Sequence, residues 1–498
     1  MKKFFPFFLF FFLSFLLVFL LYWRFRVSTT RFFDVDEFSY LHWTAQMARG
    51  EHMYTDFFSY FTPGFMWVFS PIFWIYGASA RVFTAARGLS FVIFLSILTA
   101  VSYVWGITRG WKWALLPAVI LAFLPMPYDK LLEIRPDNLS TLLAIIGLIG
   151  EIRGIRENKN SWWFVSGLAY SASLLVLAKT VPIVAVGAGI AVLSAISSKS
   201  FKSLTLLILG LVGPWALFFL GVAAQGNLDH VWYSLTRLPF EVYKSPFNQF
   251  MDPTLFFFPN SSFYGGTDYI ITTGLLTNHG IWILAVMIGV YRLMTPFLTA
   301  NGNRKGIYIE LLLALTFVIQ VFGYIKLFPA RHSQYLIPIA VFIAYYTADG
   351  LVLFFEFLAR VGGIASLIVV MSLCGCLLVF VTQEVNVPKL IRSKTVQLAE
   401  IDLLMKSIPF SSRVVDMEGR MLFWAEGYPV CCLAIDSTLS FVTRRPPPLD
   451  QYLAVHPADY IWENDTSRYA RLNPATFLYM QKNYEQVPGW DGRLWKKL

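Results

Sequence analysis

Apolar runs separated by short basic segments constrain this chain more than any other feature. They lie near residues 4–23, 81–107, 113–127, 138–152, 162–178, 180–197, 203–223, 270–291, 307–327, 337–356 and 363–381. An upright helix needs about 20 such residues to cross the hydrocarbon core, so the shorter runs have loosely drawn edges. By hydropathy the pattern predicts about eleven transmembrane helices. Composition supports this where it bears on the argument. Only 14% of residues are charged, against about 25% in soluble domains. Aromatic residues reach 17%, in keeping with interfacial belts.

Lys2 and Lys3 followed by the first apolar run resemble the start of a signal peptide. The run is too long for one, and Arg24 and Arg26 follow it instead of a small-residue cleavage site, so it reads as a retained first span. With the N-terminus cytoplasmic, every inner loop is basic: Arg109 and Lys112; Arg153, Arg156 and Lys159; Lys199 and Lys202; Arg292, Arg304 and Lys305; Arg360. This is the positive-inside pattern of a multi-pass inner (plasma) membrane protein. It also absorbs the net charge of +10, which therefore does not indicate nucleic acid. Cys374, Cys376, Cys431 and Cys432 form no disulfide framework or zinc spacing that the sequence reveals.

The odd span count places three segments outside: the loop 24–79, the loop 225–268 and the tail 382–498. Arg24, Arg26 and Arg31 break the inside rule there, either by snorkelling to headgroups or by attracting an anionic lipid. The tail changes character. Val414–Asp416, Cys432–Ile435 and Asp459–Trp462 have strand character, while Leu398–Ser407 and Pro474–Asn483 have helical character. The expected fold is thus a polytopic α-helical membrane domain, residues 1–381, followed by a small extracytoplasmic (periplasmic) α/β domain, residues 382–498.

Ionisable residues gather at four outer places: Asp34, Asp36 and Glu37; Asp129, Lys130, Glu133, Arg135 and Asp137; Lys179; and Lys326, Arg331, His332 and Tyr335. Charges at the mouth of a bilayer protein are costly to keep near low dielectric without a purpose. Opening on one face of the bundle, they suit a reaction with an anionic phosphate leaving group and an acceptor hydroxyl. Cations would stabilise the phosphate oxygens, and one carboxylate would take the acceptor's proton. Plainer readings exist for each. The first-loop Asp residues can cap a helix, followed by an amphipathic stretch with Tyr40, Trp43, Met47 and Tyr54 at the interface. Asp137 can cap the fourth span, Lys179 can snorkel, and Arg331 and His332 can anchor headgroups. No metal-ligand set stands out, so no cofactor is expected, and metal dependence is left open.

These motifs resemble those of the C superfamily of membrane glycosyltransferases (GT-C), in particular the protein O-mannosyltransferases and the bacterial aminoarabinose transferases that modify lipid A. The stretch Asp36-Glu37-x-x-Tyr40, with Ala45 to Gly50, Tyr54, Pro63-Gly64, Gly77 and Arg87, resembles the start of that family. Arg135-Pro136-Asp137-Asn138-Leu139 resembles its second acidic loop, Ala178-Lys179-Thr180 its lysine turn, and Arg331 to Pro338 its late Arg-Tyr-Pro element. The resemblance is sparse but runs along most of the chain. It implies an inverting transfer from a polyprenyl-phosphate-linked sugar to a lipid, glycan or protein hydroxyl on the outer face. It implies no nucleotide-sugar site. Carried over, Asp36 is the general base or the residue that orients the acceptor, supported by Asp137. Asp34, Glu37, Tyr40, Arg87, Lys179, Arg331, His332 and Tyr335 bind substrate, with Lys179 and Arg331 on the donor phosphate. Burial and the neighbouring Asp34 and Glu37 are expected to raise the Asp36 pKa.

Thr62-Pro63-Gly64 departs from the family's paired prolines, and no Trp-Trp-Asp element is present, which argues against an oligosaccharyltransferase. The rival classes fit less well. A flippase would show broken helices or symmetry between halves. A polysaccharide ligase or polymerase would carry Arg- and His-rich outer loops, whereas 225–268 has only His230, Arg237 and Lys244 as basic groups.

Overall fold

Helices long and apolar enough to cross a bilayer number nine among the described residues: Phe7–Thr30, Arg81–Arg109, Pro136–Glu157, Ala178–Ser198, Phe201–Ala224, Leu276–Pro296, Arg304–Lys326, Ser333–Val361 and Gly363–Asn386. The computed structural model describes residues 5–57, 59, 61–198, 200–243, 273–298, 304–327, 333–391, 393–416, 418–431, 442–444, 447–463 and 474–498. In chain order the helices are α1 (Phe5–Thr30), α2 (Val35–Ala48), α3 (Gly64–Tyr76), α4 (Arg81–Arg109), α5 (Leu115–Phe123), α6 (Pro136–Glu157), α7 (Asn160–Val176) and α8 (Val181–Ser198). They continue as α9 (Phe201–Ala224), α10 (Leu228–Trp232), α11 (Leu238–Tyr243), α12 (Thr273–Leu298), α13 (Arg304–Phe322), α14 (Ile337–Val361), α15 (Gly363–Asn386) and α16 (Thr395–Ser407).

The expected count of eleven spans is not reached by length and apolarity. Runs 113–127 and 162–178 fall on the shorter helices α5 and α7. Helix α5 stops early because Pro125 forces Leu124 out of helical conformation (ψ 118°), and the freed carbonyls are capped. Arg24 of α1, itself fully buried, donates to the carbonyls of Ala122 (2.8 Å), Leu121 (3.3 Å) and Leu124 (3.2 Å), and also to Tyr128 (2.6 Å). A guanidinium on the last carbonyls satisfies the orphan acceptors of a helix end and complements its dipole. Arg24 is therefore an internal helix cap, in place of the expected headgroup anchor.

Helix α14 is the centre of the bundle, with every residue from Ile337 to Gly350 buried. It packs against α4, α5, α6, α12, α13 and α15. Helices α1 and α9 lie at the periphery and expose Phe7, Phe11, Phe15, Leu209, Leu217 and Leu220, an apolar surface that calls for lipid. Away from the loops that carry the expected site, Arg109 of α4 pairs with Glu310 of α13 (2.7 Å), and Arg292 of α12 pairs with Asp349 of α14 (2.6 Å). Arg109 and Arg292 therefore do more than carry inner-loop charge, since their pairs staple four helices together.

Helices α7 and α9 approach through glycines. A Cβ on Gly210 would lie 2.5 Å from the Phe164 carbonyl oxygen, and one on Gly167 would collide with the Leu207 carbonyl oxygen. Small residues permit such backbone contact between membrane helices. Gly167→Ala should therefore force the helices apart and cost about 1–3 kcal/mol as overpacking. A lowered unfolding temperature in detergent, against an unchanged Gly189→Ala control whose Cβ meets nothing, checks this.

Beyond α15 the chain forms a five-stranded sheet of order β2-β1-β3-β5-β4, with β1 Arg413–Asp416, β2 Ala425–Glu426, β3 Tyr460–Trp462, β4 Tyr484–Gln486 and β5 Leu494–Lys497. Strand β1 pairs in parallel with β2 and β3, while β5 runs antiparallel to β3 and β4. Short helices Leu449–Val455 and Pro474–Asn483 pack on it through Leu449, Leu453 and Met480. The expected strands 414–416 and 459–462 correspond to β1 and β3, and the expected helices to α16 and Pro474–Asn483. The strand expected at 432–435 lies outside the described residues. Cys431 is disulfide-bonded, whereas Cys374 and Cys376 are free.

Candidate active site

The acidic first loop is a helix start. Asp34 is the N-cap of α2 in extended conformation, and its Oδ1 accepts from the Asp36 amide at 3.0 Å. The Asp34 amide donates back to Glu37 Oε1 at 3.0 Å, completing a capping box. Glu37 then turns inward. It is fully buried and takes a bidentate contact from Arg87 of α4, with Nη2 at 2.5 Å, and the Ile134 amide at 3.1 Å. Arg87 is completed by the carbonyls of Ser28 (2.8 Å) and Phe32 (3.1 Å). Two of the three carboxylates thus shape the loop. Asp36 alone is left without a structural task of this kind, and its side chain remains 27% exposed.

The segment between α5 and α6 folds beneath it. Glu133, fully buried, is surrounded by cations: Arg31 Nη1 at 2.8 Å, Lys130 Nζ at 3.0 Å and Arg135 Nε at 2.7 Å. Lys130 also reaches Asp34 at 3.0 Å, and Arg135 Nη2 reaches Asp36. Asp129 pairs with Lys389, just past α15, at 2.8 Å. Arg135 adopts extended conformation as the N-cap of α6, and Pro136 takes the first helical turn, where its missing N–H costs nothing. Asp137 is therefore inside the helix and does not cap it. It accepts from Lys179 Nζ at 2.6 Å, and that ammonium lies 3.8 Å from the centroid of the Tyr335 ring.

Tail and loop are joined. Glu426 of β2 accepts from Gln46 Nε2 at 2.9 Å and bonds His42, and Arg49 donates to the Leu422 carbonyl at 2.8 Å. The Gln397 amide brackets the Phe33 backbone, accepting at 2.6 Å and donating at 3.0 Å. Residues Glu37 to Gln46 of α2 are consequently all buried, so the helix lies within the protein and not along an interface.

The electrostatics reverse one expectation. Burial pushes the Asp36 carboxyl up, but Arg135 and Lys130 beside it prevail and hold it below the usual carboxylate range. Glu37 and Asp34, expected to raise it, have their charge taken by Arg87 and Lys130. Burial likewise opposes, and cations overcome, for Asp129 (Arg31 and Lys389) and Glu133 (Lys130, Arg135 and Arg31). Groups with depressed folded pKa contribute stability that is fully present above the unfolded value, near ~4, and lost as pH falls through the folded value. Stability against denaturant in detergent should thus be level in this respect from neutral pH down to about 5 and fall below about 4. Steep loss already between pH 7 and 6 would contradict the pairing.

The first loop and the 129–137 segment share one ion-pair network, and Asp137 of that segment separately meets Lys179, which lies against Tyr335 of the fourth place. Arg331 and His332 lie outside the described residues. Glu37 and Arg87, expected to bind substrate, are buried against each other and present no surface to one. Tyr40 packs on Trp43, Phe61 and Phe65, with its ring 6.0 Å from the Arg135 guanidinium. Lys130 and Arg135, expected only as members of the second charged place, contact Asp34 and Asp36 directly, while Lys389, on Asp129, and Glu426, on His42 and Gln46, were not expected. For Arg135 the sequence carries a signal, since an Arg preceding Pro-Asp at a helix start faces whatever the helix N-terminus faces. Among the described residues, no group of three or more His, Cys, Asp or Glu side chains is arranged to hold a metal ion.

No family model and no curated protein matches the chain in sequence. The fold, however, is shared with solved structures. ArnT from Cupriavidus metallidurans bound to undecaprenyl phosphate superposes with a TM-score of 0.63 at 13% identity, over 97% of this chain and 96% of that one. The archaeal oligosaccharyltransferase AglB from Archaeoglobus fulgidus, in complex with an inhibitory peptide and a dolichol-phosphate, gives 0.58 at 10% identity, over 100% of this chain and 74% of that one. An Archaeoglobus fulgidus oligosaccharyltransferase tethered with an acceptor peptide gives 0.53 at 12% identity, over 95% of this chain and 72% of that one. The chain thus shares the fold of these solved structures, a fit to the architecture expected from its motifs.

Proposed function

We propose that this protein transfers a sugar from a polyprenyl-phosphate donor to a hydroxyl acceptor on the outer face of the inner membrane, with inversion at the anomeric carbon. One observation carries the reading: a partly exposed carboxylate, Asp36, is held by the buried Arg135 with Lys130 beside it, in a fold shared with a neighbour bound to undecaprenyl phosphate. A carboxylate beside cations is what an acceptor proton and a departing phosphate require. The structural neighbours bound to undecaprenyl phosphate and a dolichol-phosphate support the donor class. In this reading residues 1–381 form the catalytic membrane domain with outer loops 24–79 and 225–268. Residues 382–498 form a periplasmic domain that covers α2, and a disulfide at Cys431 suits that oxidising side.

The donor enters between helices with its phosphate toward Lys179 and Arg331 and its anomeric carbon toward Asp36. The acceptor hydroxyl gives its proton to Asp36 as its oxygen forms the new bond to the anomeric carbon. The bond from that carbon to the phosphate oxygen breaks, and the electron pair leaves with polyprenyl phosphate. Inversion follows from a single displacement. The test is turnover in nanodiscs with a panel of polyprenyl-phosphate hexoses and pentoses, offered lipid A, lipopolysaccharide core and peptide acceptors. Acceptor-dependent release of polyprenyl phosphate is expected from at least one pair. Binding or transbilayer movement of the lipid-linked sugars with no release would overturn the assignment.

A further inference from the structure

Arg135 is the one cation of this network with an unused buried donor. Its Nε serves Glu133 at 2.7 Å and its Nη2 serves Asp36, while Nη1, on a side chain only 1% exposed, has no hydrogen-bond partner among the described residues. An unpaired N–H on a buried charged group costs about 1–3 kcal/mol or more, so a fold that retains one has an acceptor to offer it at some stage. The other cations are occupied. Lys179 has its ammonium on Asp137 and against the Tyr335 ring. Lys130 divides its donors between Asp34 and Glu133. Arg135 also stands at the N-terminus of the 22-residue helix α6, where the backbone favours an anion.

The partner to which it is bound is the carboxylate assigned as the base. A guanidinium on Asp36 stabilises its charged form and makes it a weak proton acceptor, and the structure places Lys130 near enough to add to that effect. A planar fork with one free edge suits two phosphate oxygens better than one carboxylate oxygen.

We propose that Arg135 is exchanged between Asp36 and the donor phosphate: with the site empty it holds Asp36, and when a polyprenyl phosphate arrives it turns to the phosphate through Nη1 and Nη2, releasing Asp36 as a stronger base. The proposal rests on the glycosyl-transfer reading and deepens it, adding Arg135 to Lys179 and Arg331 as a phosphate contact and naming the trigger for base activation. Glu133 keeps its hold on Nε throughout, so the guanidinium pivots without leaving the network. No covalent bond changes in this step, since one ion pair replaces another. In the transfer that follows, Arg135 faces the oxygen that collects the leaving electron pair. A protein without donor then keeps its base quenched, which guards the bound acceptor against unproductive deprotonation.

The exchange makes Asp36 a competitor of the phosphate, and this gives a test that does not need turnover. Binding of farnesyl phosphate, a short polyprenyl monophosphate, is measured on the full chain in zwitterionic nanodiscs. Farnesol serves as the uncharged control and inorganic phosphate as the bare-anion control. Asp36→Asn is expected to tighten farnesyl phosphate about tenfold, and Arg135→Gln to weaken it about 10–100-fold, in line with a charge-assisted hydrogen bond. In the Arg135→Gln background the gain from Asp36→Asn should shrink to a few-fold at most, the remainder being simple repulsion. Farnesol should not respond to either change.

Wild-type binding with an Asp36→Asn variant that binds no more tightly overturns the exchange and leaves glycosyl transfer standing. The exchange is equally overturned if the gain persists in full without Arg135, or if inorganic phosphate binds as well as farnesyl phosphate. A wild-type protein that binds no farnesyl phosphate overturns the exchange and the proposed function together. Asp36→Asn is isosteric at a partly exposed position, so the central measurement survives even if Arg135→Gln does not fold.

Discussion

Asp36→Asn should reduce sugar transfer by about 10²–10⁴-fold, the range that general-base assistance supplies. The protein should stay folded. Asp36 is not the N-cap of α2 and does not form the capping box, and its side chain is one of the two more exposed carboxylates of the network. An amide in its place still accepts a hydrogen bond from Arg135, which also retains Glu133. A partly exposed isosteric change of this kind shifts stability by about 1 kcal/mol or less. Release of polyprenyl phosphate is measured beside thermal unfolding in the same detergent. An Asn variant that keeps more than about a tenth of wild-type turnover would remove Asp36 from the role of base. A variant that loses activity together with its unfolding transition would make the carboxylate structural instead.

How much of this is legible in the sequence depends on the range over which the residues interact. The apolar runs are local, so the membrane architecture can be read directly. Their ends are legible only in part. Helix α5 ends where Pro125 forces Leu124 out of helical conformation, which the sequence does announce, but that Arg24 of a different helix caps the freed carbonyls it does not. The first-loop acids are legible as a costly cluster, but their division of labour is only half visible. Asp34 followed three residues later by Glu37 is a capping-box spacing, and it singles out Asp36 as the residue with no local duty. The partners are hidden because they are distant in sequence: Arg87 for Glu37, Arg135 for Asp36, Lys389 for Asp129. That distance also inverts the expected basicity of Asp36, since neighbours in sequence supply like charge while neighbours in space supply the opposite. Glu426 is out of reach altogether, carried by a two-residue strand that no periodicity marks.

The second large effect falls on stability. Glu37→Gln should destabilise the protein by about 3–5 kcal/mol, because it leaves the buried Arg87 guanidinium without its counter-charge. The pair is dry. Glu37 and Arg87 have side chains 0% and 2% exposed, and the guanidinium's remaining hydrogen bonds go to the neutral carbonyls of Ser28 and Phe32. Those carbonyls belong to the end of α1 and the turn before α2, and Glu37 also holds the Ile134 amide, so the pair ties α1, α2, α4 and the segment before α6. Adding Arg87→Met to Glu37→Gln should recover part of the loss. Breaking a buried pair by halves leaves a naked charge, whereas removing both partners leaves only a packing defect and some freed polar groups. A detergent unfolding series of the two single variants and the double variant reads the coupling directly. Additive losses would mean that the two residues are not a pair in the folded protein. Adjacent residues of one acidic motif would then differ in kind: Asp36→Asn lowers turnover in a folded protein, while Glu37→Gln lowers turnover only to the extent that it unfolds the loop.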